Sequence, residues 1–204
     1  MRLLKLFRIP FFAAVLIALG AMLAGAWLTT ALAMLAAGGV FVLGRDPVHD
    51  VPSRPLGVVS PVDGRITVVD EREDPFLARP SLVVRMRQGV FAPAVLHSPI
   101  EGRVQHIWCG HSMPATDDGA VVAIHVSTDE GDDVVFSLSR PWLPGPLSWS
   151  VQPGERVGQG LRKGLAGWGR HVSIYMPPGS MPEVQLQDRV RAGVDVISRL
   201  EHSV

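Results

Sequence analysis

The chain has 204 residues and no net charge, because 19 Lys and Arg residues balance 19 Asp and Glu residues. This length allows one domain and an appendage, and the balance of charge gives no indication of a nucleic-acid partner. The single cysteine, Cys109, excludes a disulfide within the chain. A lone cysteine is more often a small buried hydrophobe than a nucleophile, so we expect Cys109 to be buried.

A basic segment, residues 1–8, precedes an apolar run from 10 to 44 that contains no charged residue. A helix needs about 20 apolar residues to cross a bilayer. The run is too long for one upright helix, and its middle is interrupted by glycine and threonine, so it predicts two short helices over residues 11–26 and 28–43. Because basic residues flank both ends, the positive-inside rule places both ends in the cytoplasm. We therefore expect residues 1–44 to form a helical hairpin that anchors the chain in the inner (cytoplasmic) membrane.

Two other interpretations of the apolar run stay open. A secretory signal peptide has an apolar region of about 7–15 residues before its cleavage site, which is much shorter than this run. A single tilted span would put the following domain outside the cytoplasm. After the run, the prolines of Val51-Pro-Ser-Arg-Pro55 indicate a linker. The expected boundaries are a linker over residues 45–55 and one β domain over residues 56–204.

Two segments of this domain have nearly the same sequence, Ser60-Pro-Val-Asp-Gly-Arg-Ile66 and Ser98-Pro-Ile-Glu-Gly-Arg-Val104. An acidic residue followed by glycine between apolar runs is a tight-turn signal. The repeat therefore predicts two pseudo-equivalent hairpins folded against each other.

The abundance of Val, Gly and Pro favours an all-β domain, whereas the last dozen residues favour a helix. We expect a mainly β fold, an antiparallel β-sandwich or barrel of lipoyl-carrier-like hairpins, preceded by the N-terminal hydrophobic helical hairpin. The predicted strands cover residues 56–59, 64–70, 81–87, 102–108, 120–127, 133–139, 147–151 and 171–176.

A glycine-rich stretch leads into one of these strands. Glycines recur every few residues from Gly154 to Gly169, and Val172-Ser-Ile-Tyr-Met176 follows. The stretch resembles the C-terminal signature of the phosphatidylserine decarboxylase family, in which an aromatic residue, a glycine and a serine precede the strand. That family cleaves itself at the Gly-Ser bond, and the serine becomes a pyruvoyl cofactor. Trp168 and the glycine after it match the family, but Arg170 stands at the serine position.

Further motifs carry the same resemblance. Ser60-Pro-Val-Asp63-Gly64 is similar to the family's Ser-Pro-x-Asp-Gly, and His97-Ser-Pro-Ile-Glu-Gly102 is similar to its His-x-Pro-x-x-Gly. Gly44-Arg-Asp-Pro47 resembles the Phe-Arg-Asp-Pro that follows the membrane helices in the short, archaeal-type members, with glycine in place of the aromatic residue.

The resemblance implies roles for Asp63 and His97. In the family these two form a triad with the serine, because the histidine takes the hydroxyl proton and the aspartate fixes the imidazole tautomer. A second family histidine, which acts in decarboxylation, corresponds to Ala94. Taken alone, Asp63 is also typical of a tight-turn acid and His97 of a structural histidine. Since Arg170 replaces the serine, we expect Asp63 to lie within salt-bridge reach of Arg170 or of the His97 ring.

These features predict a membrane-anchored, phosphatidylserine decarboxylase-like protein of phospholipid metabolism that does not process itself, is catalytically degenerate and has a lipid-binding or regulatory role. Its expected partners are membrane phospholipid and a protein subunit or second copy of the chain, and no nucleic acid, metal or cofactor is expected. One alternative is an active decarboxylase that makes phosphatidylethanolamine and uses another serine, with Ser173 and Ser180 nearest. A second alternative is a structural β-barrel adaptor of a membrane assembly.

Overall fold

The computed structural model describes residues 2–3, 5–46, 56–141 and 145–201. The chain divides into two compact units, residues 1–48 and 49–204. Most of the expected linker, with the Pro47 end of its family-like motif, lies outside the described residues. The predicted linker boundaries therefore stay a prediction.

Two helices form the first unit. They are α1 (Lys5–Leu23) and α2 (Trp27–Gly44), joined by a short turn in which Gly25 has a φ of 73°. The rings of Phe11 on α1 and Phe41 on α2 lie 6.0 Å apart between centroids. This arrangement confirms the predicted helical hairpin, although α1 begins earlier than the sequence indicated.

Two short strands close the open end of the hairpin, since β1 (Arg2–Leu3) pairs with β2 (Arg45–Asp46) in an antiparallel ladder. Helix α2 is long and apolar enough to cross a membrane, whereas the apolar part of α1, Phe7–Leu23, is shorter. By length and composition, one helix among the described residues is therefore a candidate membrane span.

The second unit is built from antiparallel strands. They are β3 (Gly57–Val59), β4 (Gly64–Asp74), β5 (Arg79–Gln88), β6 (Val95–His97), β7 (Gly102–Cys109), β8 (Ala120–Ser127), β9 (Asp133–Ser139), β10 (Ser148–Trp149), β11 (Arg156–Val157), β12 (Arg162–Leu165), β13 (His171–Met176), β14 (Met181–Pro182), β15 (Arg189–Val190) and β16 (Val196–Arg199). One sheet has eight strands in the order β11-β7-β8-β9-β13-β5-β4-β15 and curls into a half-barrel. Two three-stranded sheets, β10-β12-β6 and β14-β16-β3, complete the unit. This architecture confirms the expected mainly β fold.

The central strands of the half-barrel bury both faces. Val84 and Ile174 belong to the main apolar core, while their chain neighbours Val83 and Tyr175 belong to a second, smaller cluster. Successive side chains of a strand point to opposite faces, so the two clusters lie on opposite sides of the sheet. Burial on both faces explains why these strands read as continuous apolar runs.

The structure corrects three expectations. Residues 147–151 form only the two-residue strand β10, and the last dozen residues, expected to favour a helix, contain strand β16. Strand β16 pairs with β3 and fully buries Ile197, so tertiary pairing overrides local propensity. Cys109, expected to be buried, is exposed at the end of β7.

The two repeat segments adopt the same local structure. The Ser60 hydroxyl donates to the Val62 carbonyl across 2.7 Å, and the Ser98 hydroxyl donates to the Ile100 carbonyl across 2.8 Å. Each turn then enters a long hairpin, β4–β5 in the first copy and β7–β8 in the second. The predicted pair of pseudo-equivalent hairpins is therefore confirmed.

The copies also bind each other through their backbones. The Val59 N–H donates to the Pro99 carbonyl across 2.9 Å, and the His97 N–H donates to the Pro61 carbonyl across 3.0 Å. The residue that precedes each repeat segment therefore donates a hydrogen bond to the turn of the other segment. As a result, Asp63 of the first copy and His97 beside the second lie in the same part of the domain.

Candidate functional site

Three strand ends bring two of the predicted site residues close in space. Gly64, at the start of β4, lies opposite Gln88 at the end of β5. The Gln88 N–H donates to the carbonyl of Arg170, just before β13, across 2.8 Å. Because neighbouring strands lie about 4.7–4.9 Å apart, the backbones of Asp63 and Arg170 are separated by about two strand spacings.

Asp63 and His97 contact the same turn. The Asp63 Oδ1 atom accepts the Ala192 N–H across 2.6 Å. The His97 ring packs so closely on Gly193 that a Cβ built there would lie 3.2 Å from the ring Cδ2 atom. Gly193 has a φ of 69°, which favours glycine. The sequence of residues 187–193 is similar to the turn segments of the repeat, but sequence reasoning did not connect this turn with Asp63 and His97.

The surroundings of Asp63 are basic. Arg191 precedes the residue that binds the Asp63 carboxylate, and its own guanidinium donates two hydrogen bonds to Asp195. The pKa of Arg191 is raised, first by these bonds to Asp195 and to a smaller extent by the charge of Asp63. Asp63 therefore lies in a positive electrostatic environment. Its Oδ1 atom is hydrogen-bonded to the backbone of the turn.

Arg170 is almost completely buried, with 2% of its surface exposed. Its Nη1 atom donates to the Ser139 carbonyl across 2.6 Å. Burial lowers the pKa of the guanidinium, because a charged group loses hydration inside the protein. The residue before it, Gly169, has a φ of 65° and supplies the turn into β13.

The expected salt bridge is not formed. In the described part of the chain, no ion pair joins Asp63 to Arg170 or to His97, so that expectation is wrong. The carboxylate is bound by a turn amide, and the guanidinium is bound by the Ser139 carbonyl. The carbonyl satisfies the Nη1 donor without the cost of burying a second charge, whereas the buried Nε has no hydrogen-bond partner among the described residues.

The position that the resemblance assigns to the family's second histidine is inaccessible to solvent. Ala94 is fully buried, and its carbonyl accepts the Ala166 N–H across 2.8 Å. The neighbouring aromatic residue of the glycine-rich turn, Trp168, is also buried. A methyl group at this position cannot take part in proton transfer, so the chain lacks an acid or base there.

The two alternative serines are bound in other networks. The Ser173 hydroxyl donates to Asp118 Oδ2 across 2.6 Å and accepts from Arg85 Nε across 2.9 Å, and it lies within strand β13. The Ser180 hydroxyl donates to the Pro177 carbonyl across 2.7 Å, inside a turn. Neither contact includes a histidine that could take the serine proton.

Comparison with known proteins identifies the family. No protein-family model matches the chain. Phosphatidylserine decarboxylase proenzyme of Nitrosomonas eutropha is 31% identical over 161 residues, which cover 76% of this chain and 74% of the relative. The proenzyme of Nitrosomonas europaea is 32% identical with the same coverage, and that of Aromatoleum aromaticum is 31% identical over 76% of both chains. The chain belongs to the phosphatidylserine decarboxylase proenzyme family.

Membership in the phosphatidylserine decarboxylase family places the chain in phospholipid metabolism and makes the residue at the cleavage position decisive. The family's pyruvoyl group is made from a serine, and the resemblance assigns that position to Arg170. An arginine does not fit this group, because it has no hydroxyl oxygen to attack the preceding carbonyl.

Among the described residues, no three His, Cys, Asp or Glu side chains are grouped as metal ligands.

Proposed function

We propose that this chain is a membrane-anchored, catalytically degenerate member of the phosphatidylserine decarboxylase family that does not cleave itself and keeps a lipid-binding or regulatory role. One observation carries the proposal. Arg170, at the position that the resemblance assigns to the serine, is buried and hydrogen-bonded to the Ser139 carbonyl. Self-cleavage passes through an ester between the serine oxygen and the preceding carbonyl, and a guanidinium cannot form that ester.

The contacts of the retained positions support the proposal. The Asp63 carboxylate binds the amide of Ala192, and the His97 ring packs on Gly193. Both residues therefore stabilise the same turn. This structural role explains why the two side chains are retained in a chain that has no catalytic activity. On this proposal no pyruvoyl cofactor is formed.

The mass of the purified full-length protein tests the proposal. We expect one polypeptide with the mass of the complete chain, about 22.0 kDa. The Nitrosomonas europaea proenzyme, expressed and purified in parallel, is the positive control and should split into two fragments. A break between residues 169 and 180, with a blocked N-terminus on the smaller fragment, would instead establish an active decarboxylase that makes phosphatidylethanolamine.

We further propose that the hairpin of α1 and α2 holds the β domain on the cytoplasmic side of the inner membrane. The support is the basic residues that flank both ends of the apolar run. Paired reporters fused to the C-terminus, one active in the cytoplasm and one in the periplasm, test the sidedness. Activity of the periplasmic reporter alone would contradict the hairpin topology.

A further inference from the structure

Three arginines stand side by side on the β domain. Arg65 on β4 lies directly opposite Arg189 on β15 and directly opposite Arg87 on β5. We call these three residues the arginine row. Directly opposed residues in antiparallel strands point to the same face, with Cβ atoms about 4.5–5.5 Å apart. Like charges placed in this way repel each other, so the row is unfavourable unless an anion binds there.

Protein carboxylates do not neutralise the arginine row. Within the described residues, no carboxylate lies within the 4.0 Å ion-pair distance of any of the three. Arg65 donates instead to the neutral side chain of Gln187 across 3.1 Å. Other exposed arginines of the same domain do have carboxylate partners, as Arg72, Arg156 and Arg199 show. What distinguishes the arginine row is that its three side chains are adjacent and that none of them has a carboxylate partner among the described residues.

The arginine row lines an open cleft of about 370 Å³, which Arg191 and Asp63 also line. Guanidinium groups bind phosphate oxygens two at a time through their planar fork of N–H donors. Arg191 is paired with Asp195, and the Asp63 carboxylate is bound by the Ala192 amide. The three guanidiniums of the arginine row therefore supply the positive charge that makes the cleft suited to a phosphate group.

Two exposed apolar side chains flank this cleft. Phe91 is 68% exposed and lies in a turn closed by the Ala92 N–H and the Gly89 carbonyl, both residues that line the cleft. Leu186 is 60% exposed and immediately precedes the Gln187 that binds Arg65. Single exposed hydrophobic residues are normal on protein surfaces. Two of them on loops at the rim of a cationic cleft are typical of a surface that contacts a membrane.

We propose that the arginine row and the two flanking loops form a docking surface for anionic phospholipid. The guanidiniums bind the headgroup phosphate, while Phe91 and Leu186 enter the interfacial layer of the bilayer. This inference rests on the proposed lipid-binding role and specifies its ligand class, since zwitterionic lipid does not attract a row of cations in the same way.

Fluorescence of a labelled flanking loop tests the docking surface in the full-length protein. A Leu186→Cys variant in a Cys109→Ser background carries one environment-sensitive fluorophore. The protein is reconstituted in nanodiscs of phosphatidylcholine, with or without a quarter of phosphatidylserine. We expect a blue shift and quenching by a lipid-borne quencher only in the anionic discs, and both effects should weaken at raised salt.

Charge-matched variants decide the role of the arginine row. Arg65→Gln, Arg87→Gln and Arg189→Gln together should lower the ratio of docked to undocked protein by about tenfold or more. Arg72→Gln, Arg156→Gln and Arg199→Gln together change the net charge equally and should leave docking intact. Circular dichroism melting of both triple variants confirms that they are folded.

Three outcomes would overturn the docking proposal. They are equal fluorescence in neutral and anionic discs, equal loss of docking in both triple variants, and saturable displacement by inorganic phosphate at constant ionic strength, which would indicate a site for free phosphate. The intact-mass experiment does not depend on this readout. A failure of docking therefore leaves the uncleaved chain unaffected, and a cleaved chain leaves the docking result unaffected.

Discussion

The guanidinium of Arg170 donates to the backbone carbonyl of Ser139 across 2.6 Å, and both residues are buried. The hydroxyl of the same serine accepts the His171 N–H across 2.9 Å. The end of β9 is therefore bound to the start of β13 at the position that the resemblance assigns to the family's cleavage serine. An arginine here has a structural contact that a serine side chain is too short to make.

Arg170→Ala should destabilise the β domain. It removes a buried side chain and leaves the Ser139 carbonyl without its donor, which costs about 1–3 kcal/mol before any cavity cost. Urea unfolding of the full-length protein in detergent measures the change. Arg87→Ala is the control, because Arg87 is exposed and its loss should change stability by about 0.5 kcal/mol or less. Equal effects of the two variants would contradict the role assigned to the Ser139 contact.

Arg170→Ser should restore part of the backbone cleavage and little or no decarboxylation. The substitution supplies a hydroxyl after Gly169, but Ala94 still stands at the position where the resemblance implies a histidine. Denaturing gels and release of carbon dioxide from phosphatidylserine measure the two steps separately. Arg170→Ala must stay uncleaved as the control. If Arg170→Ser stays fully intact while folded, the position inferred for the family's serine is wrong.

The stability of the protein should fall as the pH is lowered because of His171. Burial first, and then the charges of Arg87 and Arg85, lower the pKa of this histidine, while Asp118 opposes the shift. In the unfolded chain its pKa is about 6.5. The contribution of His171 to the free energy of unfolding is therefore fully present above about pH 6.5. It is lost as the pH decreases through the lower folded-state pKa, because the unfolded state binds the proton more tightly.

Urea midpoints measured from neutral to mildly acidic pH check this dependence. His171→Asn should flatten the decrease. Arg87→Gln should move the pKa of His171 back towards its ordinary value in an NMR titration, because it removes one of the two lowering charges. An unchanged His171 pKa in that variant would show that burial alone depresses it.

The two repeat glycines should be intolerant of a side chain. A Cβ on Gly64 would lie 2.7 Å from the Arg87 carbonyl oxygen, and a Cβ on Gly102 would lie 2.3 Å from the Ser127 carbonyl oxygen. Gly64→Ala and Gly102→Ala should each cost about 1–3 kcal/mol, because the backbone of the partner strand must move. Gly89→Ala is the matched control, since its nearest neighbour would lie 3.6 Å away. Equal midpoints for all three variants would contradict close backbone packing at the repeat.

Deletion of residues 1–44 should give a soluble, folded β domain. The main apolar cluster extends from Val58 to Leu200 and lies wholly in the second unit. The exposed apolar side chains of α1 and α2 are absent from the truncated protein. A cooperative melting transition in detergent-free buffer is the expected result. Aggregation of the truncated protein, with the full-length protein folded in detergent, would contradict an independent core.

The sequence by itself determined the features that depend on local pattern. The apolar run predicted the helical hairpin, alternation and Val-rich runs predicted the long strands, and the Ser-Pro repeat predicted two equivalent turns. These signals are local because helix and strand periods are set by the residues within the element. The motifs around Asp63, His97 and Arg170 were sufficient to indicate the family.

Only the tertiary structure decided what the side chains contact. Arg170 binds a carbonyl 31 residues away and Asp63 binds an amide 129 residues away, whereas the expected salt bridge between them is not formed. The arginine row depends on the register of three strands. One of them, β15, has only two residues and is too short to show a hydrophobic alternation in the sequence. Register is a property of paired strands, so a local pattern cannot encode which residue faces which. Pairing of β16 with β3, together with the burial of Ile197, likewise makes a strand of a segment whose composition favours a helix.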